Sequence, residues 1–430
     1  MEVFRAALRK LWLIALVAFC IRLGFALLYI HSAPKQALGV IPFLFEPGNI
    51  AFSLAHGNGF SSPLRVDTGP TAWMAPVYPL LLAAIFKLWG AYTFSAYLAA
   101  VSLNIACSVL TCIPIYFVGK QVSGSGVAAG ATWLWAIFPN AILLPVQSMW
   151  DAPLAALLCA TILWKTLTLA DGSDVRNWCL YGVLWGVTLM TSPTLLLLLP
   201  PFLLWLFWRL HANERPWRTG PTLAVGVALL CCLPWTVRNY SVFHAFIPFR
   251  SVLGLQLWVG NNELAPDRRP GEVHPISNSA ERAKYVSMGE IAYMRVKERE
   301  ALEFVRTHPR MEAQLIADRF VATWTGGTPH PLADFFRIHS WGFRGVLLFN
   351  LFVAVGAWCG MALLLGIRNP YGCPVVIAPL LFPIPAYLTL ASARYRHPVD
   401  PAILLLTAVT LAWCSARWRG RLNDRNEPVR

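Results

Sequence analysis

A succession of apolar runs, each close to the length of a bilayer crossing, constrains this chain more than any other feature. The first, Leu11 to Ile30, meets the roughly 20 residues that a helix needs to cross the hydrocarbon core. Arg5, Arg9 and Lys10 precede it, Arg22 interrupts it, and no convincing small-residue cleavage site follows. It therefore reads as a retained first span and not as a removed signal peptide. Further runs near 92–119, 124–139, 151–170, 178–191, 194–209, 221–236, 341–366, 373–391 and 401–416 give about ten spans. Composition agrees: 57% of residues are hydrophobic and 13% charged, with a mean hydropathy of +0.54. An ordinary soluble domain carries about 25% charged residues. The predicted fold class is an all-α polytopic membrane protein.

Charge gives the spans an orientation. With the N-terminus in the cytoplasm, the inner connections carry Lys120, then Lys165 and Arg176, then Arg209, Arg215 and Arg218, then Arg368. The tail adds Arg417, Arg419, Arg421, Arg425 and Arg430, while the outer connections 140–150 and 191–194 hold no base. This is the positive-inside pattern, and it accounts for most of the net charge of +14. A nucleic-acid partner would call for a basic surface with exposed aromatics on a soluble domain, and no such surface is present in the sequence. The ten cysteines sit in or beside spans, without CxxC pairs or Cys/His spacing of metal-site type. They read as small apolar packing residues, and no cofactor is required; a divalent metal is compatible with the sequence but not indicated.

Span parity puts 32 to about 76, 140–150, 237–340 and 392–400 outside, and the notable polar clusters fall on that face. In "FLFEPGNIAFSLAHGNGF", residues 43–60, Pro47 suits a first helical position and Gly57 a stop, while Ile50 and Leu54 share a side. The spacing predicts a short amphipathic helix along the membrane surface with Glu46 at its N-terminus. A second surface helix is expected over 75–90. Glu46 has two readings of equal weight, a carboxylate balancing the helix dipole or a proton acceptor in partly dry surroundings. Asp151, in "PVQSMWDAPLAAL", is likewise an N-cap or a second acid/base group. Arg394, Arg396 and His397 in "ASARYRHPVDP", and Arg238 in "PWTVRNY", stand on the face where the positive-inside rule disfavours arginine. Pairing with a phosphate and pairing with the two carboxylates explain them equally. Tyr395 and Trp235 could be simple interfacial aromatics. Arg22, near the middle of a span where a charge costs about 2.5–3.5 kcal/mol, should find a structural partner inside the bundle.

Three regions follow: a transmembrane module over 1–236 that includes the first outer loop (32–90), an outer segment over 237–340, and C-terminal spans with a basic tail over 341–430. Within the outer segment, 280–306 has a helical stripe of Tyr285, Met288, Ile291, Met294, Val296 and Leu302, and 309–324 continues in the same style. It is expected to be a helical cap over the outer face and not an independent domain.

The succession "FEPGNIAFSLAHGNGFSSP", "TGPTAWMAPVYPLLLAAIFKLWG", "WDAPLAAL", "PWTVRNYSVFHAFIPFRSVLGLQLWVGNN" and "RYRHPVDPAILLL" resembles bacterial membrane glycosyltransferases of the C-type superfamily. The likeness is to the family-39-like members related to protein O-mannosyltransferases and the lipid A aminoarabinose transferase. It implies that Glu46, by motif position, is the catalytic base and that Asp151 matches a second carboxylate. It also implies that Arg394 and Arg396, with Arg238, His397 and Tyr78, bind a polyprenyl-phosphate sugar donor. The first-loop acid is often Asp in that family, and a Lys of some members is replaced here by "MAP" at 74–76. The implied reaction moves a sugar to a lipid, glycan or protein acceptor on the periplasmic face of a bacterial inner membrane, with both termini cytoplasmic. The competing classes are a secondary transporter, which would place its polar groups near the midplane, and a non-catalytic envelope-assembly protein in which the carboxylates only cap helices.

Overall fold

The computed structural model describes residues 2–265, 270–328, 330–337 and 340–426. The expected basic tail is described as far as Asn426, and its last arginine, Arg430, lies outside the described residues. Among the described residues every regular element is a helix, and the only extended pairing is the isolated bridge between Ser61 and Pro70. Seven helices are long and apolar enough to cross a membrane, or eight if the bent pair Lys35–Phe43 and Glu46–Ala55 counts as one span. The chain is thus an all-α, multi-pass membrane protein.

The difference from about ten expected spans has local causes. Runs 92–119 and 124–139 lie in the single apolar stretch Phe94–Ile137, yet they remain two helical segments, because the backbone breaks at Ser123 and Gly124. In a straight helix residues 119 and 128 would stand about 13.5 Å apart. Instead a Cβ at Gly119 would lie 2.7 Å from Ala128 Cα, so the chain folds back there. The run at 178–191 is the 15-residue helix Val175–Leu189. The run at 373–391 becomes Gly372–Leu381 and Ile384–Leu388, interrupted at Pro383 and unwound from Thr389.

Small residues let the long helices approach closely. A Cβ at Gly182 would lie 2.5 Å from Ala224 O, and one at Gly360 2.1 Å from Leu406 O. Gly182 and Gly186 line one helix face and Gly356 and Gly360 another, the four-residue spacing that suits close helix pairs in lipid. Arg22 is buried and donates to Ser108 Oγ (2.8 Å), Ala18 O (3.0 Å), Trp135 O (3.1 Å) and Ala136 O (3.1 Å). The last two carbonyls lie in the final turn of Cys112–Ile137, where Trp135 O also accepts from Phe138 N (3.3 Å) and Arg22 supplies the further donors. Arg22 therefore has the structural role expected of it.

The connections sort into two ends. At one, Asn369 Nδ2 donates to Val122 O (2.8 Å), Tyr371 OH to Asp171 (3.1 Å), and the Arg209 guanidinium lies 5.3 Å from the Tyr371 ring centre. These are the connections expected to be basic and inner. At the other end the outer connections meet around a cavity.

The two expected surface helices are Glu46–Ala55 and Val77–Trp89, packed against each other. Leu80, Leu88 and Trp89 stay exposed on the second, as suits a helix lying on a bilayer. Beyond them lie Leu253–Gly260, Ser279–Met288, Glu290–Thr307 and Pro309–Thr325. The first three share a small core, including Leu255, Tyr285 and Tyr293, with Leu64 and Trp73 of the first outer loop, while Trp324 of the fourth packs into the main transmembrane core. The single stripe expected over 280–306 is not kept. Gly289, at φ +76°, ends one helix, whose Met288 is exposed, and starts another, which buries Tyr293, Met294, Ala301 and Phe304 and leaves Leu302 exposed. The buried Glu290 accepts from Ala72 N (2.8 Å), Ser251 Oγ (2.6 Å), Tyr285 OH (2.7 Å) and Thr71 Oγ1, and so fastens the first loop to this layer. The boundary expected at 236 falls inside Thr219–Phe243.

Candidate active site

A cavity of about 450 Å³ opens where the outer connections converge, lined among others by Glu46, Asp151, Thr194, Arg250, His274 and Arg394. Glu46 reaches it because Phe45 is extended (φ −100°, ψ 173°) and Pro47 starts the helix in the first turn. Gly48 permits the tight entry, since a Cβ there would lie 2.0 Å from Phe43 O. Met149 N donates to Pro42 O (3.3 Å), and the Phe45 and Trp150 rings sit 5.7 Å apart. These contacts bring the first outer loop and the loop before Asp151 to one wall. Asp151 begins Ala152–Leu169 but makes no side-chain cap hydrogen bond, so its carboxylate is free of the simple capping role.

Charges in the cavity are arranged without neutralising one another. The Arg394 guanidinium stacks 3.6 Å from the Trp150 ring centre and donates to Tyr395 OH (2.9 Å). Arg250 donates to Thr194 Oγ1 (3.1 Å). Both arginines act on Asp151 through space, yet among the described residues neither closes an ion pair with it. Burial pushes the Asp151 carboxyl above the usual carboxylate range, against the pull of Arg394 and Arg250. Glu46 has His274 as its partner, with Nε2 3.5 Å from Oε1. Ile276 N–H donates to His274 Nδ1 (3.2 Å), which assigns the ring proton to Nε2, facing Glu46. Burial lowers the His274 pKa and Glu46 opposes that shift, leaving the imidazole neutral near neutral pH.

Of the residues singled out in the sequence, Glu46, Asp151 and Arg394 meet in the cavity; four others do not line it. Arg396 is fully buried and spends its guanidinium on Asp400 (2.7 Å), Thr323 O (2.9 Å), Trp324 O (2.8 Å) and Asn350 Oδ1 (2.7 Å). His397 is buried beside it, with Nδ1 3.0 Å from Asp400 and its ring stacked on Trp135. Arg238 donates to Thr71 O (2.7 Å) and Phe60 O (2.9 Å), and Tyr78 OH to Asn104 Oδ1 (3.1 Å). Each braces a segment behind the site: Asn104 in turn donates to Pro145 O (3.3 Å) in the stretch leading to Asp151. Sequence reasoning missed Arg250 and His274. Arg250 lies in the stretch just after the span ending near 236 but is one of many bases in 237–340, so nothing local set it apart; His274, in an irregular polar stretch, carried no signal either. Among the described residues no group of three or more His, Cys, Asp or Glu side chains is arranged to hold a metal ion.

An all-α membrane fold with a charged cavity at one end between its helices defines the class. Residues 73–237 match the family model described as dolichyl-phosphate-mannose-protein mannosyltransferase. That stretch contains Asp151 but neither Glu46 nor Arg394. The fold is similar to the oligosaccharyltransferase of Archaeoglobus fulgidus in its apo form (TM-score 0.55, 13% identity), covering 99% of this chain and 52% of that one. It is equally similar to the archaeal oligosaccharyltransferase AglB from the same organism in complex with an inhibitory peptide and a dolichol-phosphate (TM-score 0.55, 14% identity, 99% and 52% covered). The chain thus spans about half the length of these proteins. ArnT from Cupriavidus metallidurans bound to undecaprenyl phosphate aligns over 93% of this chain and 77% of that one at 15% identity, but its TM-score of 0.38 is too low to bear on the site. No curated protein matches. The family model over residues 73–237 and the fold are both in keeping with the resemblance carried by the motif series.

Proposed function

We propose that this protein is a membrane glycosyltransferase that moves a sugar from a polyprenyl-phosphate donor to a lipid, glycan or protein acceptor at the cavity. The observation that carries the reading is a cavity between membrane helices in which two guanidiniums and two carboxylates face the same space without forming ion pairs with one another. Unpaired arginines suit a phosphate, and carboxylates on an apolar wall suit proton transfer. The dolichol-phosphate held by the archaeal neighbour supports a lipid-phosphate ligand here. In this reading the basic end faces the cytoplasm, with both termini, and the cavity faces the periplasm of a bacterial inner membrane. The segment over 237–340 caps the cavity.

The donor phosphate rests on Arg394 and Arg250, and its chain leaves sideways into lipid. Glu46 takes the proton of the acceptor hydroxyl or amine as that group attacks the anomeric carbon. The bond from that carbon to the phosphate oxygen breaks, and the electron pair leaves with the polyprenyl phosphate. The leaving group is already anionic, so it needs cations more than a general acid. Neutral His274, with Nε2–H toward Glu46, orients the carboxylate without removing its charge. Asp151 hydrogen-bonds the sugar, and Arg396, His397, Arg238 and Tyr78 hold the walls in place.

The test is release of free polyprenyl phosphate from a panel of polyprenyl-phosphate sugars, with membrane extract as acceptor source. Wild type should release it, and Glu46→Gln should release it about 10²–10⁴-fold more slowly while still binding the donor. A Glu46→Gln protein as active as wild type would remove Glu46 as base. Substrate flux across vesicles with no sugar transferred would replace the reading with transport.

A further inference from the structure

Arg250 reaches the cavity from an irregular stretch, and part of what holds that stretch in place lies outside the cavity. On one side Phe249 O accepts from Trp235 Nε1 (2.7 Å). On the other, Ser251 N donates to Ala72 O (2.8 Å) and Ser251 Oγ to Glu290 Oε1 (2.6 Å). The same Oε1 accepts from Ala72 N (2.8 Å), so Ser251 and Ala72 are tied to each other and to one carboxylate oxygen. The other oxygen, Oε2, accepts from a different pair, Tyr285 OH (2.7 Å) and Thr71 Oγ1. Glu290 is 5% exposed, does not line the cavity, and stands in the first turn of Glu290–Thr307. Leu253–Gly260 seats on that helix through Gly254, where a Cβ would lie 2.0 Å from Met294 O. The chain leaving Arg250 is therefore referred to one helix, and Ser251 is the tie nearest to the arginine.

We propose, resting on the reading of that cavity as a donor-phosphate site, that Glu290 is a positioning residue for the phosphate. Through Ser251 it sets where the Arg250 guanidinium stands. A binding constellation has to be held within about 0.5 Å of its productive geometry. Among the described residues Arg250 has one side-chain hydrogen bond of its own, to Thr194 Oγ1 (3.1 Å), so most of its aim is left to the backbone on either side. The two oxygens of Glu290 make the idea separable from simple bracing. Deleting the Ser251 hydroxyl removes a bond to Oε1 beside Arg250, whereas deleting the Tyr285 hydroxyl removes a bond to Oε2 and leaves Ser251 in place.

Full-length protein in a neutral detergent would be titrated with radiolabelled undecaprenyl phosphate and, for comparison, with uncharged undecaprenol. Wild type is expected to bind the phosphate more tightly than the alcohol. Ser251→Ala should weaken the phosphate about fivefold and leave the alcohol unchanged. Added to Arg250→Gln it should weaken nothing further, because its effect passes through the guanidinium. Tyr285→Phe should bind both lipids as wild type does. Glu290→Gln should keep near wild-type affinity, since its carbonyl can replace Oε1 while the Thr71 and Tyr285 hydroxyls turn to accept from its amide. Glu290→Asp, one methylene shorter, should lose about as much as Ser251→Ala. Full phosphate affinity in Ser251→Ala would overturn the proposal. So would an equal loss in Tyr285→Phe, or a Ser251→Ala loss that persists in the Arg250→Gln background. Wild type that binds phosphate and alcohol equally would instead remove the phosphate reading of the cavity itself.

Discussion

At the scale of single residues, what separates the arginines is whether their donors are already used. Arg394 stacks on Trp150 and keeps guanidinium N–H groups for a ligand, whereas Arg396 has spent its donors on Asp400, Asn350 and two carbonyls. Arg394→Lys should raise the donor KM about tenfold, since a lysine loses the bidentate fork and the ring stacking, and should leave thermal stability unchanged. Arg396→Gln should do the reverse. It strands Asp400 in the interior, where breaking a buried pair costs about 3–5 kcal/mol, and thermal unfolding in detergent would report it as a lowered Tm. His274 gives a pH prediction. Its pKa is lowered by burial, so the ring is neutral above that value and becomes cationic only as pH falls through it, 3.5 Å from the proposed base Glu46. A cation there weakens Glu46 as a proton acceptor, and the acid limb of kcat should include this titration. In His274→Gln that contribution disappears and the limb moves to lower pH; an unmoved limb would remove the coupling. Glu46, Asp151 and Arg394 could be singled out because each is a charged residue beside a predicted span on the one outer face. His274 could not, because its meaning depends on a contact with a residue more than two hundred positions away.

Among the elements, the site depends on short helices held at sharp angles. The first surface helix leaves its predecessor at 98°, and Gly48 makes room for Phe43 O at that corner. Gly48→Ala should displace the start of the helix and with it Glu46, lowering kcat at least tenfold while the long helices keep their circular-dichroism signal. Gly360→Val acts elsewhere: the added side chain collides with Leu406 O, and the expected outcome is a loss of folded yield and of Tm. The spacing of four between Gly356 and Gly360 was visible in the sequence, but which helix they face was not. The stripe over 280–306 misled for the opposite reason, since periodicity continues across Gly289 in the sequence while the backbone does not.

For the whole molecule, the inner and outer connections read from the sequence become two ends, with the charged cavity at the end where the outer connections meet. The orientation can be tested by cysteine labelling in intact spheroplasts, in a background without the ten native cysteines. A membrane-impermeant maleimide should label Ser287→Cys, in the outer layer, and reach Glu214→Cys, at the basic end, only after permeabilisation. The reverse pattern would invert the topology proposed here.

Hydropathy and charge order by themselves determined that this is a helical membrane chain, which connections lie together, and that the carboxylates belong to one face. These follow from transfer free energies, which depend on each segment's own composition. Tertiary structure alone decided which cations stay open. An arginine is a ligand group or a brace according to the acceptors within about 3 Å of its nitrogens. Those acceptors come from carbonyls and carboxylates of distant segments, and no local pattern records them.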